Sequence, residues 1–100
     1  MLTGKQRAFL RGLATEIPAA IQIGKDGLDA ANITTFQQYL SKRELVKATV
    51  LKTCPVTPRE AAEAMAAALK AEVIQVIGRK FTLYLPNLEL RKIGKAIVLP

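Results

Sequence analysis

Histidine and tryptophan are absent from this 100-residue chain, cysteine occurs once, and acidic residues number only eight. Without histidine the chain lacks the commonest general base and the commonest metal ligand. Cys54 cannot form an internal disulfide, and beside Pro55 with no imidazole to activate it, it reads as a structural thiol. No group of residues has the spacing of a zinc site. The carboxylates do not pair for acid–base work either. Glu60 and Glu63 fall in the first turns of an expected helix, and Glu44, Glu72 and Glu89 each have a basic residue within two positions. These absences argue against an enzyme, a cofactor, a bound metal or a small-molecule substrate. No apolar run approaches the roughly 20 residues that cross a bilayer. Met1-Leu2-Thr3-Gly4-Lys5 lacks the charged and apolar regions of a signal peptide. A cytoplasmic protein without a membrane partner is the expectation. Aromatics are limited to Phe9, Phe36, Phe81, Tyr39 and Tyr84. The three phenylalanines read as core, and Tyr84 shares a strand face with Lys80 and Thr82.

What is present is positive charge. Fifteen Lys and Arg residues give a net charge of +7, enough in so small a chain to favour polyanions. Half the residues are apolar, sufficient for one domain with its own core.

Periodicity supplies the elements. Thr3 and Gln6 resemble a capping box, and Phe9, Leu10, Leu13 and Ile17 recur at helical spacing, predicting a helix from about Gly4 to Thr15 that ends before Pro18. Its other side carries Arg7 and Arg11, with Lys5 nearby. Ala20–Ile23 reads as a strand and Asp29–Leu40 as a helix. In Glu44–Leu51, Val46, Ala48 and Val50 alternate with Lys47 and Thr49, the pattern of a strand with one wetter face. Thr57-Pro58-Arg59-Glu60 combines a threonine cap, proline at the first helical position and a capping-box glutamate, opening an alanine-rich helix to Leu69. Glu72–Ile77 and Lys80–Leu85 are two strands joined by Gly78-Arg79, with a type II′ turn as first choice. The order α-β-α-β-α-β-β predicts an α/β fold: three helices and a mixed four-stranded sheet, mostly parallel, closed by one antiparallel hairpin. Asn87–Pro100, basic through Arg91, Lys92 and Lys95, could add a strand, pack on the body or mediate self-association.

Between the first strand and the second helix lies Gly24-Lys25-Asp26-Gly27. Two residues without Cβ let a backbone bend sharply and approach another molecule. A helix opening just beyond suits phosphate. In KH domains such a G-x-x-G loop clamps a single-stranded nucleic-acid backbone. An ordinary strand-to-helix turn has the same four-residue pattern.

Several blocks together resemble the CRM domain (chloroplast RNA splicing and ribosome maturation), whose single-domain bacterial form is the YhbY-like protein. They are Leu2-Thr3-Gly4-Lys5-Gln6-Arg7 with Leu10-Arg11, Gln22-Ile23-Gly24-Lys25 with Gly27, Arg43-Glu44-Leu45-Val46-Lys47, and Gln75-Val76-Ile77-Gly78-Arg79 with Leu83-Tyr84 and Pro86. The resemblance covers residues 2–86. It implies a fold related to the C-terminal domain of a bacterial translation initiation factor, a KH-like loop, and RNA binding. The partner it implies is ribosomal RNA in large-subunit precursors. Residues 1–86 would form the RNA-binding domain and 87–100 a basic tail. Contacts are expected from Gly24, Lys25 and Gly27, with Lys5, Arg7 and Arg11 extending the positive surface and Arg79 and Lys80 as further contacts. Leu85 stands before Pro86 where many relatives carry a basic residue, and Asp26 places a negative charge inside the loop. The competing expectation is a protein-interaction module, docking on a ribosomal protein or self-associating through the tail.

Overall fold

The computed structural model describes residues 2–100. Its elements are α1 (Gly4–Glu16), β1 (Ile21–Ile23), α2 (Ala30–Arg43), β2 (Leu45–Val50), α3 (Pro58–Leu69), β3 (Glu72–Ile77), β4 (Lys80–Tyr84) and a short α4 (Leu88–Lys92).

Local chemistry sets most boundaries. The Thr3 hydroxyl accepts from the Gln6 N–H at 3.1 Å, while the Gln6 side chain accepts from the Thr3 N–H at 3.0 Å. Thr57 and Glu60 repeat this reciprocal cap at the start of α3, with Pro58 in the first turn. Two of the donors orphaned at each helix start are thereby satisfied. The Glu60 carboxyl is held below its ordinary range by the Thr57 backbone and side-chain hydrogen bonds. Helix α2 runs past the expected Leu40 to Arg43, where Glu44 turns left-handed (φ 61°) and donates its N–H to the Leu40 carbonyl. At the β3–β4 turn Gly78 has φ 58° and Arg79 is not among the positive-φ residues, as a type II′ turn requires and a type I′ turn excludes.

The sheet order is β1-β2-β4-β3. β1 pairs parallel with β2, whereas β4 is antiparallel to both β2 and β3. The expected mostly parallel pairing is therefore corrected to one parallel pair and two antiparallel ones. The crossovers do deliver β1, β2 and β3 in one direction, but β4 slots between β2 and β3. Phe81, Thr82, Leu83 and Tyr84 are all buried, so both faces of this strand are covered over most of its length.

Helices α2 and α3 cover one face. There Phe36 and Leu40 meet Val46, Ala48, Val50, Ala62, Met65, Phe81 and Leu83 in the main core. The Phe36 and Phe81 rings stack with centroids 5.8 Å apart, worth about 0.5–1.5 kcal/mol beyond the area they bury. Helix α1 and the C-terminal segment cover part of the other face, where Leu10, Leu45, Ile74 and Tyr84 form a second cluster flanked by Leu13, Ile17, Ile97 and Leu99. Phe9 is a correction: it is 40% exposed, because α1 packs through Leu10 and Ala14 and leaves Phe9 on the flank.

The C-terminal segment packs on the body. The Glu44 carboxylate, 1% exposed, accepts the Asn87 N–H on one oxygen and the Ile97 N–H at 2.7 Å on the other. The pairing with a neighbouring cation suggested by sequence is replaced by two backbone donors from the far end of the chain.

Candidate nucleic-acid interface

Gly24–Gly27 forms a tight turn closed by the Gly27 N–H donating to the Gly24 carbonyl at 3.0 Å. Lys25 and Asp26 stand exposed at its apex, and their backbone N–H groups donate to no protein acceptor among the described residues. The two glycines differ. Gly27 is buried with φ 62°, and a Cβ there would lie 3.3 Å from Cγ of Pro55. Its carbonyl accepts the Asn32 side-chain N–H at 2.6 Å, which ties the loop to α2. Gly24 has no positive φ, and a Cβ would meet only Leu51 and Thr53 at 3.5 and 3.6 Å, ordinary contacts.

The helix after the loop begins at Ala30, slightly later than expected. Its capping carboxylate is Asp29, which accepts the Asn32 N–H at 2.8 Å, so Asp26 is not the cap. One donor of this N-terminus is therefore taken by the chain itself, and the loop apex presents unused N–H groups in addition to those left at the helix end.

Three segments meet around the loop. The Leu51 N–H donates to the Ile23 carbonyl at 2.9 Å, joining the exits of β1 and β2. Arg79 turns back from the hairpin, donating to the Val50 carbonyl at 2.7 Å and the Leu51 carbonyl at 2.8 Å. Its guanidinium braces the turn while its charge stays at this end of the sheet. Lys52, exposed directly after Leu51, brings a further cation that sequence reasoning did not single out. Only its flanking turn residues, Leu51-Lys52-Thr53-Cys54-Pro55, could have signalled it.

The remaining candidates lie elsewhere. Arg7 donates to a Glu72 carboxylate oxygen at 2.8 Å and to the Val73 carbonyl at 3.0 Å, tying α1 to the start of β3. That is the end of β3 away from the hairpin turn, about 17 Å along a six-residue strand. Arg7, and Lys5 two residues before it, therefore do not extend the positive surface of the loop, contrary to expectation. Arg11 lies one turn before Thr15 on α1, and Thr15 donates its hydroxyl to the Arg11 carbonyl at 3.0 Å. Lys80 belongs with these, on the α1 face of the sheet, because Lys80, Thr82 and Tyr84 alternate with core-facing Phe81 and Leu83.

On that face Lys47 opposes Thr82 and Lys80 opposes Thr49, so the two lysines are diagonal neighbours on adjacent strands. Burial, and then the charge of Lys80, lower the Lys47 pKa from the ordinary lysine value. Ion pairs among the described residues join Arg7 to Glu72, Arg59 to Glu63 and Lys92 to Glu89, and involve none of Lys25, Lys47, Lys52, Arg79 or Lys80. Tyr84 is 3% exposed and has no ring face for a base. Its pKa is raised by burial and then by the Glu44 charge, with Arg91 opposing.

The sequence model of the CRS1/YhbY (CRM) domain matches residues 2–84. A Bacillus subtilis protein named probable RNA-binding protein YqeI is 36% identical over 93 residues, covering 93% of this chain and 97% of its own. An RNA-binding protein of Haemophilus influenzae is 30% identical over 90 residues, covering 90% and 91%. The solution structure of a hypothetical Staphylococcus aureus protein, described as a candidate for RNA binding, superposes with a TM-score of 0.79 at 38% identity, covering all of both chains.

Proposed function

The chain belongs to the CRS1/YhbY (CRM) domain family, and on that premise we propose that it is a non-catalytic RNA-binding protein acting on ribosomal RNA in large-subunit precursors during ribosome assembly. The contact in this reading is the Gly24–Gly27 turn, with Lys25 and the apical N–H groups directed at backbone phosphates. Lys52 and Arg79 add positive potential beside it.

The observation that carries the reading is the lack of a folding reason for Gly24. A glycine with no positive φ and room for a Cβ costs backbone entropy without a structural return. Close approach by another molecule's backbone would give a glycine at this turn a use. Asp26 at the same apex is accommodated if it points to solvent while Lys25 meets the phosphate.

The test is titration of ribosomal RNA with the wild-type protein and Lys25→Glu at several salt concentrations. Each phosphate contact on a single strand contributes roughly 0.7 to the logarithmic salt slope. The variant should bind more weakly, with a slope shallower by about that amount. Unchanged affinity and slope, with an unchanged circular dichroism spectrum, would remove the loop from the interface.

A protein-docking role is the second reading, favoured by Leu88, Ile93 and Val98 in the C-terminal segment, which are 71%, 63% and 84% exposed. It predicts partner binding that survives both high salt and Lys25→Glu.

A further inference from the structure

On the sheet face shared with α1, a cleft of about 190 Å³ lies beyond the helix, lined by Thr15, Lys47, Gln75, Ile77, Lys80 and Thr82. Accepting the RNA-binding reading above, we propose that this cleft is a second phosphate-binding position for the same RNA, with Lys47 and Lys80 on either side of one backbone phosphodiester. The strand held at the Gly24–Gly27 turn, at the end of the sheet, would thus also be gripped on the face shared with α1.

The arrangement of charge supports this. Like charges on neighbouring strands oppose folding, and diagonal positions, with Cβ atoms about 7 Å apart, are within reach of long side chains. A carboxylate between them would be the usual remedy, yet among the described residues none lines the cleft and neither lysine is in an ion pair. Lysines on strands often protect exposed sheet edges from pairing. That explanation fails here, because β2 and β4 are both interior strands. An anion seated between the two ammonium groups relieves the repulsion and compensates the partial desolvation that disfavours the charged form of Lys47.

The other lining groups fit a nucleotide rather than a bare ion. Gln75 offers neutral donors to phosphate oxygens, and the Thr15 hydroxyl, which donates to the Arg11 carbonyl, keeps lone pairs that can accept from the 2′-hydroxyl. Ile77, 63% exposed at the rim, offers apolar surface to the adjoining sugar or base. Arg11, one turn before Thr15, extends the positive rim along α1.

Labelled oligouridines, one short and one long enough to span both positions, are titrated with the full chain at several salt concentrations. The proteins are wild type, Lys47→Gln, Lys47→Arg, Lys80→Gln and Lys25→Glu. On the longer oligonucleotide Lys47→Gln and Lys80→Gln should each weaken binding several-fold and reduce the salt slope by roughly 0.7, with Lys47→Arg retaining both. Lys80 is exposed, so its variant keeps the test valid if Lys47→Gln perturbs the fold. Wild-type affinity and slope in both glutamine variants, alongside loss in Lys25→Glu, would overturn the cleft and leave the loop standing. Loss in the glutamine variants with Lys25→Glu unaffected would keep the cleft and overturn the loop. No loss in any variant would overturn both. Binding of an acidic protein, but not oligouridine, that depends on Lys47 would also overturn it.

Discussion

Replacing each loop glycine by alanine separates what the turn needs to fold from what it needs to bind. At Gly27 the side chain must enter a left-handed conformation at φ 62°, which costs an L-residue about 1–2 kcal/mol. The new Cβ also meets Cγ and Cδ of Pro55 at 3.3 and 3.5 Å, so the exposed proline ring has to move by a few tenths of an ångström. In a domain of this size each kcal/mol lowers Tm by about 4–8 °C, so Gly27→Ala should lose roughly 5–15 °C. Gly24→Ala faces neither demand and should stay within about 0.5 kcal/mol of wild type. Thermal unfolding followed by circular dichroism gives the stability ranking, and RNA titration gives the functional one. Gly24→Ala is expected to keep its Tm and lose affinity. An unshifted Tm for Gly27→Ala, or a larger drop for Gly24→Ala, would refute the assignment of the conformational requirement to Gly27.

Three further outcomes follow from other contacts. Glu44→Ala removes the buried acceptor of two backbone donors and should cost about 3 kcal/mol, since hydrogen bonds to a charged group are worth roughly 1.5–3 kcal/mol each. Limited proteolysis should then cut residues 87–100 first, and an uncut segment would contradict its role as a clasp. Arg7→Met breaks a half-exposed ion pair and should lower stability by at most about 1 kcal/mol, leaving the salt slope of RNA binding untouched. A reduced slope would return Arg7 to the interface. Because the folded Glu60 pKa is depressed, its stabilising effect is present above the ordinary carboxylate value and is lost as pH falls through the depressed one. Glu60→Gln should therefore flatten the acid limb of a Tm-against-pH curve, and a wild-type limb in the variant would disprove the linkage.

Features written in adjacent residues were legible before any coordinates. Both capping boxes, the strand alternation of Val46, Ala48 and Val50, and the Gly78-Arg79 turn depend on neighbours within four positions, and all are observed. Contacts made across the chain were not. Arg7 and Arg11 sit one turn apart and look like a single basic patch, but Glu72, 65 residues away, takes one of them. The charge at Arg79 reads as a solvated turn until the Val50 and Leu51 carbonyls arrive beneath it. Phe81-Thr82-Leu83-Tyr84-Leu85 is a nearly continuous apolar run, whereas β2 alternates, and that difference marks β4 as covered on both faces but not its place in the sheet, since β2 is interior as well. Lys47 was visible as the polar member of an alternating strand. Its pairing with Lys80 depended on a register that no local pattern encodes.

The strand translated last among the four lies inside the sheet, and this shapes how the protein can be made. Until Lys80–Tyr84 has emerged, the β1–β2 unit keeps one flank of N–H and C=O groups open, and β3 has no partner at all. A nascent chain halted before residue 80 would not be a smaller stable version of the molecule. It would carry two more open edges than the finished sheet, and the hairpin closes both in a single event.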